Sequence, residues 1–390
     1  MHKSAAQEAG VDAGPHLARH HGYSGYLSLI DGVRGIAAVA VLLYHYIHFF
    51  MAGPSRAPLR GAIWMYPGSA WLSRIYIDGF LAVQIFWLIS GFVFAQVYYG
   101  SNADTRSFAI NRFARLYPLH LLTLLVVAGL EFAMLRRFGY TALYGNYDWP
   151  HFFRQLLFAS DWLHLPGDGY SFNGPIWSVS VEVVVYALFW MSRRAVVRFG
   201  LPLVAVLVAG FYFADHAWTD FTKIFACGYY FFIGCGLNLV LRGNWNRGWR
   251  LVAPVLLLVA LGAWGAWVNQ DWSWRFVALP GLFGALFMML AVAEPFAPGW
   301  LRKGCQWLGE NTYGVYLWHV PVQLCLLLVL LPGTNPAEVA RHGWFMVLFV
   351  ALVLVVARLS YVWFERPVRD WLRRRLHSHL GRLKGSDNAP

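Results

Sequence analysis

The sequence predicts an all-α polytopic membrane protein with about ten transmembrane helices and both termini in the cytoplasm. Hydrophobic residues make up 58% of the 390 residues and charged residues only 13%, whereas a soluble domain carries about 25% charged residues. Aromatic residues reach 18%, and Trp and Tyr favour membrane–water interfaces. The net charge of +12 lies in short connections between apolar stretches. That distribution is typical of cytoplasmic loops and does not indicate a nucleic-acid partner.

Apolar stretches long enough to cross a bilayer recur along the whole chain. We expect spans near residues 28–50, 75–99, 116–135, 173–192, 200–218, 222–241, 251–268, 276–294, 311–331 and 343–363. Lys and Arg concentrate in alternate connections, which places those connections and both termini inside. We therefore expect a disordered cytoplasmic tail over 1–27, a transmembrane domain over 28–365 and a basic cytoplasmic tail over 366–390. The segment Glu365–Lys384 is typical of an amphipathic helix on an anionic membrane surface.

The longest outer connection runs from Arg136 to Asn173, and loops of this length are usually functional. It contains an amphipathic stretch, Trp149–Leu163, and a turn-rich stretch, Leu165–Gly169. No internal repeat is visible, which disfavours an inverted-repeat transporter. The four cysteines lie in or beside apolar segments without CxxC spacing, so neither a disulfide framework nor a metal site is expected; they are Cys227, Cys235, Cys305 and Cys325.

The first span carries Arg34 and His45, eleven residues apart. Eleven steps of 100° end about 20° past three full turns, so both side chains share one helix face, ~16 Å apart along the axis. A charge within hydrocarbon costs at least ~2.5 kcal/mol, which favours a functional role for Arg34. The structural alternative is an arginine that snorkels to the headgroups and a histidine satisfied within the bundle. Asp31, one turn before Arg34, is expected to form a salt bridge with it.

The fourth span begins at Gly174-Pro175 and carries Trp177 and Glu182. Counting from the membrane boundaries places Glu182 and His45 at a similar depth near the outer side. An imidazole beside a carboxylate is suited to general-base catalysis. The alternative for Glu182 is a polar anchor at the helix entry.

Arg34, Ser90, Arg112 and Arg115 map instead to the inner side. A cytoplasmic acyl-coenzyme A could place its phosphates by one of these arginines and its thioester near His45, because the separation resembles the reach of an extended pantetheine arm. Topology alone also explains arginines that precede a span, and Ser beside Gly also suits close helix packing.

Six motifs in order along the chain resemble acyltransferase family 3, integral-membrane enzymes that modify bacterial surface polysaccharides and related glycans. The resemblance runs from about Leu29 to Pro367, and the motifs are Asp31–Ala38 with His45, Phe86–Phe92, Arg112–Pro118, Trp177–Glu182, Tyr313–His319 and Glu365–Pro367. It implies that His45 is the catalytic histidine and Arg34 an essential cation of the donor site. Ser90, Arg115 and Glu182 match other recurring polar positions. The chain departs from the family where Asn111-Arg112 replaces an arginine pair and where Trp87 replaces Phe.

Together these observations predict a membrane-bound O-acyltransferase of the bacterial inner membrane. It would move an acyl group, expected to be acetyl, from acyl-CoA (acetyl-CoA) as co-substrate to a hydroxyl of a polysaccharide or lipid-linked glycan. His45 would act as the base. Glu182 would orient it, directly or through another group, while Trp177 and His319 would help bind donor or acceptor. Membrane lipids are the other expected partners, and no bound cofactor or metal is expected. The alternative is a glycan or lipid transporter or flippase that uses Arg34, His45 and Glu182 as a polar pathway.

Overall fold

The computed structural model describes residues 26–52, 57–58, 62–163, 169–218, 222–242, 262 and 275–386. It is an α-helical protein, as predicted, and the two-residue strands β1 (Met51–Ala52) and β2 (Ala57–Pro58) pair in antiparallel fashion. The α-helices are, in chain order, α1 Ser28–Tyr44, α2 Ser69–Asp78, α3 Ala82–Tyr98, α4 Thr105–Phe138, α5 Trp149–Leu156, α6 Trp177–Phe199, α7 Leu201–Ala217, α8 Ile224–Arg242, α9 Arg275–Ala293, α10 Gly299–Leu330, α11 Pro336–Ala340, α12 Gly343–Ser360 and α13 Arg366–Ser386. Short 3₁₀ turns lie at His45–Phe50, Ala62–Met65, Gly79–Leu81, Gly174–Ile176 and Glu294–Phe296.

Within these ranges, eight helical segments are long and apolar enough to cross a membrane, and α7 is a shorter apolar helix. Together they correspond to nine of the ten predicted spans, so the protein is a multi-pass membrane protein. The predicted span near 251–268 lies outside the described residues except for residue 262, as do most of the tail over 1–27 and most of the turn-rich stretch Leu165–Gly169.

Several helices extend well beyond the apolar spans predicted within them. Helix α4 begins at Thr105 rather than near 116, because the Asp104 side chain caps it by accepting from the Ser107 N–H. Hydropathy detects only the apolar part of a helix that lies within the lipid. The same helix can continue through polar residues outside the lipid. Arg112 and Arg115 therefore lie inside α4 and not in a connection before it.

The last predicted span and the predicted amphipathic tail form one continuous helix. Helix α12 continues through a π-helical turn, Tyr361–Glu365, directly into α13. Pro367 has no N–H to donate to the carbonyl of Trp363 four residues earlier, and such a gap in the hydrogen-bond ladder is accommodated by a locally widened turn. The predicted boundary between membrane domain and tail, at 365/366, thus falls inside one continuous helix.

The chain divides into two compact units. The first includes the described residues of Met1–Gly35, Val83–Ala103 and Val184–Gly309. In this unit α3 and α8 cross closely, since a Cβ on Gly91 would overlap the carbonyl oxygen of Phe231 and one on Gly234 would overlap that of Leu88. Small residues let membrane helices approach in this way.

The second unit includes the described residues of Ile36–Ala82, Asp104–Val183 and Glu310–Pro390. Its 3₁₀ turn His45–Phe50 positions the functional side chains, because residues i and i+3 lie above one another in a 3₁₀ helix. Tyr46 and Phe49 share one face and pack against Phe349 of α12. The Tyr46 hydroxyl donates to the Ala340 carbonyl oxygen at 2.8 Å. His45 and His48 share another face of the turn.

The connection after α4 is also part of the second unit. The buried carboxylate of Glu131 accepts hydrogen bonds from the backbone N–H groups of Ala142 and Leu143 and from the Tyr147 hydroxyl. It thereby folds the first part of the connection back on α4. The amphipathic stretch predicted over Trp149–Leu163 forms the shorter helix α5, which ends at Leu156.

Candidate active site

Three histidines meet in the second unit, and we call His45, His48 and His319 the histidine cluster. The ring centroid of His45 lies 4.9 Å from that of His319 on α10 and 5.3 Å from that of His48. His319 is fully buried and His48 is buried, whereas His45 is half-buried. His45 is thus the member of the cluster that is most accessible to a substrate.

Backbone carbonyls fix the protonation pattern of two of these imidazoles. Nδ1 of His45 lies 2.9 Å from the carbonyl oxygen of Val41, and Nδ1 of His319 lies 3.3 Å from that of Val315. A carbonyl oxygen only accepts, so each Nδ1 carries the proton when the ring is neutral. The lone pair of both rings is therefore on Nε2, the nitrogen that can act as a base.

Gln323 connects the other side of the cluster. Its Nε2 donates to the His45 carbonyl oxygen at 2.7 Å, and its Oε1 accepts from Nδ1 of His48 at 2.9 Å. One amide therefore provides a hydrogen-bond donor for the His45 carbonyl, just after α1 ends, and fixes the tautomer of His48. Sequence reasoning missed Gln323, although a polar residue one turn after His319 in an apolar helix was an available signal.

Tyr144 closes the cluster from the connection after α4 and was also missed. Its ring packs edge-on against His48, with centroids 5.7 Å apart. A Cβ on Gly174 would overlap this ring, so glycine at that position makes room for the tyrosine. Burial, with a smaller contribution from Tyr170, raises the pKa of the Tyr144 phenol, which stays protonated at neutral pH.

A second polar group joins α6 to α10. The Tyr316 hydroxyl donates to the Pro175 carbonyl oxygen at 2.8 Å and lies 2.7 Å from the Ser178 hydroxyl. Glu182, one turn after Ser178, is buried and lies within electrostatic range of Tyr313 and Tyr316. Trp177 is half-buried at the start of α6.

The structure does not bring Glu182 into direct contact with His45. Among the described residues, the side chain of His45 contacts Val41, Tyr44, His48 and His319. Equal depth fixes only one coordinate of a side chain and leaves its lateral position open. A backbone carbonyl, and not the predicted carboxylate, therefore sets the tautomer of His45 in this structure.

Helix α10 contains Pro321, which has no N–H for the Leu317 carbonyl oxygen four residues earlier. The side-chain amide of Asn173, which is fully buried, donates to that oxygen at 3.1 Å. The end of the long outer connection is thus tied to the helix that carries His319.

The predicted arginines of α4 also lie in the second unit. Arg115 forms an ion pair with Glu365 at 2.7 Å, and Glu365 is buried. The next residue, Leu116, accepts from the Tyr313 hydroxyl at 2.8 Å. Arg112, one turn before Arg115, is half-buried.

The remaining predicted residues belong to the first unit. Arg34 pairs with Asp31 at 3.0 Å, the predicted salt bridge, and Asp31 also accepts from the Tyr26 hydroxyl. The missed residue Glu294 caps α1 by accepting from the Leu29 N–H at 2.8 Å. Ser90 is half-buried on α3.

The domain model of acyltransferase family 3, described as an acyltransferase domain, matches residues 27–361. The chain belongs to acyltransferase family 3. The resemblance predicted from the six motifs is thereby confirmed, and the protein is a membrane-bound acyltransferase. Membership in this family favours the enzyme over the transporter or flippase. Within the described ranges, no three or more His, Cys, Asp or Glu side chains are arranged to hold a metal ion.

The chain is similar to two named proteins and covers different shares of their lengths. It is 28% identical to acyltransferase MdmB of Streptomyces mycarofaciens, over 93% of this chain and 97% of that protein. It is 22% identical to peptidoglycan O-acetyltransferase OatA of Listeria monocytogenes, over 88% of this chain and 56% of that protein. The chain thus spans little more than half of the second relative. No solved structure matches the chain.

Proposed function

We propose that the protein transfers an acyl group, expected to be acetyl, from acyl-CoA to a hydroxyl of a glycan acceptor, with His45 as the general base. The acceptor is a surface or secreted polysaccharide or a lipid-linked glycan, and the enzyme resides in the bacterial inner membrane with both termini in the cytoplasm. The observation that carries the proposal is the half-buried His45 imidazole, whose Nδ1 donates to the Val41 carbonyl oxygen and leaves Nε2 free to take a proton. A relative named as a peptidoglycan O-acetyltransferase supports a glycan acceptor.

In the proposed reaction, Nε2 of His45 removes the proton of the acceptor hydroxyl while the oxygen attacks the thioester carbonyl carbon. The carbon–sulfur bond then breaks, and the thiolate leaves with the proton that His45 had taken. The products are an ester of the glycan and free coenzyme A thiol. The Val41 carbonyl stabilises the imidazolium that forms between the two steps, because its negative end faces the Nδ1–H.

The other predicted residues take supporting roles in this proposal. Glu182 acts on the reaction through its negative charge rather than through contact with His45. His319 and Trp177 contribute to binding of donor or acceptor. Arg112 and Arg115 bind the donor. Arg34 and Ser90 of the first unit are also predicted to bind the donor, and their roles are tested separately.

The experiment replaces His45 in the purified protein and follows thiol release from acetyl-CoA in the presence of a glycan acceptor. His45→Gln keeps a polar side chain of similar size but has no basic nitrogen, so we expect kcat to fall about 10²- to 10⁴-fold. His216→Gln is the matched control, because His216 is an exposed histidine on α7 and the same substitution there should leave kcat unchanged. Full activity of His45→Gln would remove the proposal.

The acceptor is identified by comparing the surface glycans of cells with and without the protein. Cells that carry it should show glycan fragments heavier by the mass of one acyl group, and mild base should remove that mass because it cleaves esters. Identical glycans in both strains, with the protein present in the membrane, would exclude a surface glycan as acceptor.

A further inference from the structure

Four arginines come together where α13 packs against the first turns of α4. Arg373 lies within electrostatic range of Arg369, Arg112 and Arg115. We call these four residues the arginine cluster. Arg369 and Arg115 also both lie within electrostatic range of the buried Glu365. Two helices that are far apart in sequence therefore bring their guanidinium groups to one place.

The spacing along each helix explains how the cluster forms. Arg112 and Arg115 are three residues apart on α4, and Arg369 and Arg373 are four residues apart on α13. Residues at these spacings share one helix face. Helix α13 packs against α4, which brings the two faces together. Arg374 and Arg375, next in sequence, are exposed.

Two ion pairs lie within this region. Glu365 pairs with Arg115 at 2.7 Å, and Asp370 pairs with Arg369 at 3.2 Å. Guanidinium groups bind phosphate oxygens in bidentate fashion, so a ligand with several phosphates matches such a cluster better than a ligand with a single carboxylate.

The cluster is also connected to the histidine cluster through one helix. Tyr313 on α10 donates to the carbonyl of Leu116, the residue after Arg115. His319 follows Tyr313 by six residues on the same helix, which corresponds to ~9 Å of axial rise. A ligand bound at the arginines therefore has the imidazoles within reach of a long flexible arm.

We propose that the arginine cluster is a phosphate-binding site whose occupant is the nucleotide end of the acyl-CoA donor, and that Arg369 and Arg373 of α13 are donor-binding residues. This inference rests on the proposed function and extends the donor site to the C-terminal helix. The same chemistry would also suit the phosphate of an anionic lipid, and the experiment distinguishes the two sources.

The test uses the full-length protein in phosphatidylcholine nanodiscs and two donors, acetyl-CoA and S-acetylpantetheine, which lacks all phosphates. Arg373→Gln should raise KM for acetyl-CoA about tenfold or more, because it removes a charge-assisted contact, while kcat at saturation stays the same. KM for S-acetylpantetheine should not change. Arg374→Gln is the matched control, with the same loss of charge at the next residue, and should behave as the unsubstituted protein. Arg369→Lys, which retains the charge of a buried group, provides a second variant with less risk to folding.

Equilibrium binding of coenzyme A, measured by calorimetry, keeps this inference separate from the proposed function. If the unsubstituted protein binds coenzyme A and Arg373→Gln weakens that binding, the site is supported even when neither donor is turned over, in which case the proposed function alone fails. Equal effects of Arg373→Gln on both donors would overturn the inference. It would also be overturned if Arg373→Gln left coenzyme A binding intact and lost retention of phosphatidylglycerol instead, since the occupant would then be a lipid headgroup.

Discussion

Replacing Gln323 tests whether its amide holds the histidine cluster in place. Gln323→Leu keeps the approximate size of the side chain and removes the donor to the His45 carbonyl and the acceptor for His48, at 2.7 Å and 2.9 Å. Hydrogen bonds between membrane helices contribute about 0.6 kcal/mol on average and up to about 1.7. Because the substitution removes two hydrogen bonds of a fully buried residue, we expect the free energy of unfolding to fall by about 1–3 kcal/mol.

The effect on catalysis follows from geometry rather than from stability. Without Gln323, the turn that begins at His45 loses the contact that satisfies its first carbonyl. A displacement of about 1 Å at a reacting group can reduce the rate about 10²-fold. We therefore expect Gln323→Leu to lower kcat at least about tenfold and to change KM for acetyl-CoA little, as measured by thiol release at a temperature where the variant is folded.

Two further variants make this prediction specific. Gln306→Leu makes the same chemical change at an exposed position on the same helix and should leave both stability and kcat unchanged. Gln323→Glu keeps an acceptor for His48 but cannot donate to the His45 carbonyl. Its stability and kcat should therefore lie between those of the unsubstituted protein and those of Gln323→Leu. If Gln323→Leu has the melting temperature and kcat of the unsubstituted protein, the amide does not position the cluster and our reasoning is refuted.

Two other predictions concern packing of the helices. Asn173→Leu should lower the free energy of unfolding by about 1–2 kcal/mol. The loss should be smaller in the Pro321→Ala background, because a new backbone N–H can donate to the Leu317 carbonyl there. Additive effects of the two substitutions in a double-mutant cycle would contradict this prediction. Gly91→Ala should destabilise by about 1–3 kcal/mol through overlap with a neighbouring backbone, whereas Gly129→Ala, with open space around it, should be neutral or stabilising by up to about 1 kcal/mol. Chemical or thermal unfolding in detergent measures both, and equal stabilities of the two glycine variants would exclude the close crossing.

Local sequence rules predicted the features that depend on near neighbours in the chain. The Asp31–Arg34 ion pair follows from three-residue spacing on one helix, and the structure contains it. Hydropathy located the spans because apolar length is a property of one segment. It could not locate where α4 begins, since the start depends on the Asp104 cap rather than on hydrophobicity.

Features that depend on lateral packing were not predictable in the same way. The motifs named both His45 and His319, but no spacing rule indicates that their rings lie 4.9 Å apart. Depth along the membrane normal suggested Glu182 as the neighbour of His45, and the structure instead gives a carbonyl of the same helix that role. The general lesson is that one sequence constrains the axial position of a polar group better than its partner.

The anchors of the two basic imidazoles are main-chain oxygens, of Val41 and Val315, and this affects how the protein tolerates genetic change. A carboxylate anchor disappears with a single codon substitution, whereas a peptide carbonyl is present whichever amino acid occupies the position. Valine at 41 or 315 can therefore be exchanged for other apolar residues that keep the helix, and the same ring nitrogen still carries the proton. The protonation pattern of these two rings is inherited with the helical backbone rather than with any individual side chain.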